Sequence, residues 1–176
     1  MPADLKRELQ REYTRYCLVD EQLKEVERNQ EERLAAGETA AVRAVAALMR
    51  LKSLGPQTSW ILQMEFFNWR DFKNGKQIGR CAGFAPTPYD SGESRREQGT
   101  GKDGNAWIRP MTIELCWQWL RWQPRSALSL WYEKRFAHGG KRMRKIGITA
   151  LARKLLIALW RYLDQGIVPE GAVFKC

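Results

Sequence analysis

Residues 4–35 contain neither Pro nor Gly and are rich in Glu, Arg, Lys, Leu and Gln. A run of that length and composition reads as one long helix, and this constrains the rest of the chain more than any other feature. Apolar or aromatic residues recur at Leu5, Leu9, Tyr16, Val19, Leu23 and Val26, with the spacing carried on through the polar Glu12 and Gln30. The 4/3 repeat predicts a coiled-coil-like seam. Such a seam either pairs with a second copy or packs within its own chain.

Gly37 ends this helix. A second helix is expected from Glu38–Thr39 through the AAVRAVAALMRLKSL run, with Val42, Val45, Leu48, Met49 and Leu51 on its apolar side. Gly55–Pro56 breaks it. The TSWILQMEFF stretch then predicts a third helix. Helix, turn and helix in this order are helix-hairpin-helix-like, a motif whose turn N–H groups can approach phosphates. Residues 68–80 are polar, with Trp69 and Phe72 as expected anchors. Residues 83–105 (GFAPTPYDSGESRREQGTGKDGN) form a long Gly/Pro-rich loop, and a loop of that length in a compact chain points to function or disorder. Helices resume over the IELCWQWLRW and SALSLWYEKRF stretches. The basic KRMRK run leads into IGITALARKLLIALWRYLDQG, whose expected buried face is Ile148, Leu151, Leu155, Ala158, Leu159 and Tyr162. Arg153, Lys154 and Arg161 fall off that face. The VPEGAVFKC tail reads as loosely attached.

The fold class expected is therefore mainly α. A long N-terminal helical arm (1–37) precedes a compact helical domain (38–172) and a short tail (173–176). The 176-residue chain, 44% hydrophobic and 28% charged, has the composition of a folded chain rather than a disordered one. Its eight Trp supply large buried surfaces or stacking platforms. The set Trp107, Trp117, Trp119, Trp122 and Trp131 reads as core.

Charge divides the chain. Residues 1–40 carry seven Lys/Arg against ten Asp/Glu, a net −3, and residues 41–176 carry twenty-three against ten, a net +13. The second part has the electrostatics of a polyanion binder, since each phosphate neutralised by Lys or Arg releases a counterion. Cys17, Cys81, Cys116 and Cys176 lie far apart, no CxxC pair occurs, and the one His is His138. This spacing excludes a zinc-finger pattern and a disulfide framework, and it fits a reducing cytosol. The charged N-terminus has no signal-like apolar core. No run of eighteen apolar residues predicts a membrane span. Cytoplasmic localisation is the expectation.

Four blocks make the chain recognisable: WILQMEFFNWRDFKNGKQIG, AGFAPTPYDSGESRREQGTGKDGN, WIRPMTIELCWQWLRWQPRSALSLWYEKRF and KRMRKIGITALARKLLIALWRYLDQGIVPEGA. In this order they resemble the C-terminal domain of the bridge-RNA-guided DEDD transposases of bacterial insertion sequences, the IS-one-ten family. The resemblance implies a recombinase in which a RuvC-like N-terminal domain holds divalent metal, Mg, on four acidic residues. It also implies a transposase domain with a nucleophilic serine, a composite site assembled across protomers, and DNA and guide RNA as partners. The family's PxxYxSG element is PTPYDSG here, which places the serine on Ser91. Arg95 and Arg96, Lys102 and Asn105 of the KDGN element, and Arg109 are then candidate phosphate contacts. Lys141, Arg142, Arg144 and Lys145 are candidate backbone contacts on either argument.

On residue type alone, Ser91 before Gly92 is an ordinary turn residue, Asn105 a helix cap, and His138 a surface residue. Asp103 stands where the family commonly carries a small residue, which weakens a close phosphate contact there. Asp90, Glu93, Glu97 and Asp103 do not follow the order of the family's four acidic residues. The chain itself is therefore expected to hold no metal and no other cofactor, the metal domain being missing from it. Alone it is expected not to complete transposition. A nucleic-acid-binding module or remnant with an inert Ser91, and an oligomerisation fragment driven by residues 4–35, are the alternative readings. A homo-oligomer through the N-terminal helix is expected, and no membrane partner.

Overall fold

The N-terminal run folds as read: α1 spans Ala3–Ala36 as one 34-residue helix, about 50 Å long at 1.5 Å per residue. The computed structural model describes residues 2–91, 94–100 and 104–175, with the backbone alone for the described residues between 86 and 100. Ion pairs Asp4–Arg7, Glu8–Arg11, Glu12–Arg15 and Asp20–Lys24 line α1 at three- and four-residue spacing. Exposed pairs of this kind add only tenths of a kcal/mol each. Gly37 stops the helix in the left-handed conformation (φ 59°), its N–H donating to the Arg33 carbonyl at 3.0 Å. The Thr39 hydroxyl accepts the Val42 N–H at 3.2 Å and so caps the following α2, Ala40–Met49.

The chain forms two units, Met1–Arg43 and Ala44–Cys176. No residue of α1 is buried. The predicted seam residues Leu5, Leu9, Tyr16, Val19, Leu23 and Val26 are all exposed.

The second unit is mainly helical. α3 (Pro56–Ile61) starts on Pro56, where a missing N–H costs nothing. It continues as a π-helical turn over Leu62–Phe67, closed by the Asn68 N–H donating to the Gln63 carbonyl at 2.8 Å. α4 spans Gly75–Cys81 and α5 Ile108–Trp122. α6 (Ala127–Tyr132) runs into a second π-helical turn, Glu133–Ala137. α7, Lys141–Gln165, takes the KRMRK run into its own first turns.

Between α4 and α5, the segment read as a Gly/Pro-rich loop carries two antiparallel strands, β1 (Pro86–Ser91) and β2 (Ser94–Thr100). Their register is irregular between Pro86 and Pro88, as expected where prolines withhold ladder donors. The core joins Leu48, Leu62, Ile78, Ile108, Leu115, Trp119, Leu151, Leu155 and Leu159 from α2 to α7.

Four expectations change. Residues 50–54 leave α2, because Leu51 pairs with Phe174 in a short antiparallel bridge. The tail is pinned, not loose. The Lys52 N–H donates to the Val173 carbonyl at 3.0 Å, and the Lys175 N–H to the Arg50 carbonyl at 2.7 Å. Gln123 exchanges two hydrogen bonds with Val173, at 2.9 and 2.7 Å. In the helix-hairpin-helix-like turn three donors are used internally: Leu51 on Leu48, Lys52 on Val173 and Leu54 on Leu51. Of the Trp set, only Trp119 is buried. Trp107 is 80% exposed, Trp117 and Trp122 are exposed too, and Trp131 is half-buried; Phe72 anchors its segment while Trp69 is 73% exposed. Each exposed indole lies outside the one stripe of its segment that meets the core.

Trp119 pays for its burial with a polar node. Its Nε1–H donates to Ser126 Oγ at 2.8 Å, and Ser126 Oγ in turn meets Ser129 Oγ at 3.0 Å and caps α6. Ser126→Ala is expected to destabilise the fold by about 1–3 kcal/mol, because it orphans a buried donor and removes a helix cap together. Urea denaturation of the two proteins checks this; a change below about 0.5 kcal/mol would show the node to be dispensable. Burial likewise pushes the Cys116 thiol far up and keeps it protonated, a small apolar residue as its sequence context suggested.

Candidate nucleic-acid interface

Two features of the second unit place the candidate residues: the root of the β-hairpin and the N-terminal half of α7. At the root, Gly83 takes a left-handed φ of 71°. Gly104 packs so closely on it that a Cβ at Gly104 would lie 2.2 Å from the Gly83 nitrogen. No side chain fits there, so both glycines are obligatory to the crossing. The Asn105 N–H donates to the Cys81 carbonyl at 3.0 Å, and the Phe84 N–H to the Gly79 carbonyl at 2.8 Å. Arg109 closes the neck by donating to the Gly83 carbonyl, its guanidinium lying 5.4 Å from the centre of the Phe84 ring.

The neck explains two candidates. Asn105 accepts the N–H groups of Trp107 and Ile108 at 2.9 and 3.1 Å, so its side chain begins α5. Arg109 holds the hairpin root. The geometry gives both an architectural role.

From the neck the ribbon runs out to Ser91, the last residue of β1, whose register partner is Ser94. Arg95 pairs with Asp90 and Arg96 with Tyr89, one and two rungs back from Ser91. The backbone thus brings Ser91, Arg95 and Arg96 to one end of the ribbon. Lys102 lies outside the described residues, as does Asp103.

α7 supplies the charge. Its first turns carry Lys141, Arg142, Arg144 and Lys145, all exposed, and no acidic residue. Four cations at the positive end of a helix dipole repel one another and the dipole. Arg144 Nε is turned back to the Gly139 carbonyl at 3.2 Å. Arg142 and Lys145 instead line a groove of about 810 Å³ that runs from Phe84 along α7, and Arg153 and Lys154 line it further on. Ile146, Ala150 and Ile157 are among its apolar lining residues, and no carboxylate is among the described ones.

Glycines let α4 approach α7. A Cβ on Gly75 would meet Ile157 at 3.0 Å, and one on Gly79 would meet Arg153 Nε at 2.8 Å. Their absence lets α4 lie close on α7 and lays the Arg153 stem across it. Arg153 and Lys154 are the residues that sequence reasoning missed. Arg142, Lys145, Thr149 and Arg153 recur at three- and four-residue steps, a signal for one cationic face. His138 is an exposed residue at the end of the second π turn. Among the described residues there is no group of three or more His, Cys, Asp or Glu that could hold a metal ion. No helix among them is long and apolar enough to cross a membrane.

Residues 45–130 of this helical scaffold are a transposase IS116/IS110/IS902 family domain. Over 183 aligned residues it is 41% identical to y4rJ of Sinorhizobium fredii, whose name assigns it to the transposases; the match covers 99% of this chain and 46% of that protein. It is 25% identical over 171 residues to the transposase for insertion sequence element IS1328 of Yersinia enterocolitica, covering 96% of this chain and 48% of that one. The chain spans about half the length of the curated relatives it matches.

Proposed function

We propose that this chain is the DNA-handling, serine-bearing portion of an insertion-sequence transposase. The observation that carries the reading is a family-matched segment, residues 45–130, in which a glycine-necked hairpin ends on Ser91, followed in the chain by an α7 groove lined by four cations. In the reaction proposed, Ser91 Oγ attacks a DNA phosphorus. The new O–P bond replaces the bond to the leaving nucleotide oxygen, the serine proton passes to a base, and the leaving oxygen takes up a proton. The phosphoserine ester conserves the bond energy for rejoining. Cations near the pentacoordinate phosphorus stabilise its developing charge, a role open to Arg95 and Arg96 at the ribbon end. α7 holds the flanking backbone. Metal chemistry, where the reaction needs it, comes from acidic residues outside the described set, and guide RNA is the partner that selects the site.

The test is covalent capture of a nicked DNA substrate, with the N-terminal half of a full-length relative supplied in trans. Ser91→Ala is expected to abolish the DNA-linked band while gel-shift affinity stays within about twofold, because one hydroxyl adds little to a phosphate-dominated contact. Capture that persists in Ser91→Ala contradicts the catalytic assignment. The groove alone supports a second reading, a nucleic-acid-binding module with Ser91 inert; that reading predicts binding without capture in the wild-type chain.

The exposed seam of α1 supports assembly as a dimer through paired helices. Sedimentation of the chain with and without residues 1–37 should show a dimer and a monomer. Two monomers would remove α1 from the assembly.

A further inference from the structure

A duplex turns phosphate and sugar outward and keeps its base faces stacked within, whereas an unpaired strand presents base faces and phosphates together. The groove along α7 offers surfaces for both: Ile146, Ala150 and Ile157 are apolar lining residues, and Arg142, Lys145, Arg153 and Lys154 carry charge. Phe84 joins the lining, and Lys154 Nζ stands over the Trp131 ring, 4.7 Å from its centre. Apolar and cationic lining together match an unpaired strand, whose bases bring uncharged faces and whose phosphates bring charge. At about 810 Å³ the groove lies within the roughly 300–1,000 Å³ range of clefts that enclose whole ligands.

We infer that this groove seats single-stranded DNA, with bases on Ile146, Ala150 and Ile157 and phosphates on the four cations. The inference rests on the transposase reading above and deepens it. The groove starts at Phe84, in the root of the hairpin that ends on Ser91. Four cations and no carboxylate among the described lining residues give the charge complementarity a strand requires.

Fluorescence anisotropy with labelled oligo-dT of about twelve nucleotides, within the span of single-strand grooves, tests it against a duplex of equal length. Ala150→Glu puts a carboxylate in the lining at a half-buried helical position that tolerates it. It is expected to weaken oligo-dT binding by at least about fivefold, the lower end of one stacked base, and duplex binding by less than about twofold. Arg142→Ala with Lys145→Ala should lower the salt slope for oligo-dT by about 1.4. Circular dichroism and melting of each variant establish that it is folded. Equal losses for oligo-dT and duplex would make the groove a general phosphate track and overturn the inference, while leaving the transposase reading to the capture assay. Oligo-U bound more than about tenfold tighter than oligo-dT, or displacement of oligo-dT by poly-glutamate of equal length, would also overturn it.

Discussion

Replacing Arg142, Lys145, Arg153 and Lys154 together with alanine is expected to lower single-stranded DNA affinity by up to about 600-fold at about 0.1 M salt. The magnitude follows from counterion release: each neutralised phosphate contributes close to 0.7 to the slope of log K against log salt on a single strand. Four lost contacts therefore lower that slope by up to about 2.8. The loss should shrink as salt rises, because the entropy of release shrinks with it. Stability should change little. Arg142, Lys145 and Lys154 are exposed, and Arg153 contributes mainly the stem that crosses Gly79. Titration at several salt concentrations reads both quantities. A variant with the wild-type slope would mean that DNA binds elsewhere.

The neck gives the second large effect, on activity rather than affinity. Gly104→Val places a branched side chain where even a Cβ meets the Gly83 nitrogen at 2.2 Å and the Ala82 carbonyl carbon at 2.5 Å. Both neighbours are backbone, so the crossing must open. Overpacking against side chains costs about 1–3 kcal/mol, and backbone has fewer ways to yield. The expected outcome is a loss of that order in urea denaturation and at least about a hundredfold loss of covalent capture, since a misplacement of about 1 Å can cost that much in a positioned reaction. Groove binding should persist within about threefold, because α7 does not depend on the crossing. Wild-type capture in Gly104→Val would show that the hairpin root does not position the reacting residue.

How far the sequence foretold this arrangement depends on whether each feature has a local cause. α1 does: no helix breaker interrupts it and Gly37 closes it. The buried stripe of α7 is legible for the same reason, although Ala158 and Tyr162 are only half-buried and Ala152 and Leu156 share the core. The tail has no local cause. Its order comes from hydrogen bonds to Arg50, Lys52 and Gln123, more than fifty residues away or nearly so. Composition could not reveal those partners.

The hairpin falls between these cases. Ser-Gly is a turn dipeptide, yet Pro86, Pro88 and a string of glycines read as loop, and only the pairing of β1 with β2 makes them strands. Arg153 and Lys154 were visible as residues off a buried face. That they line a groove required the approach of α4, which depends on Gly75 and Gly79. Trp107 and Trp69 show the limit of composition: a large aromatic favours burial in general, but the fold has one core stripe per helix and both lie outside it.

The most direct measurement is the position of the DNA adduct. After capture on nicked DNA with the complementary half supplied in trans, protease digestion and mass spectrometry should find a nucleotide on the peptide spanning β1, attached through Ser91 oxygen. A nucleotide on Ser94, or on any residue outside the hairpin, would contradict the account.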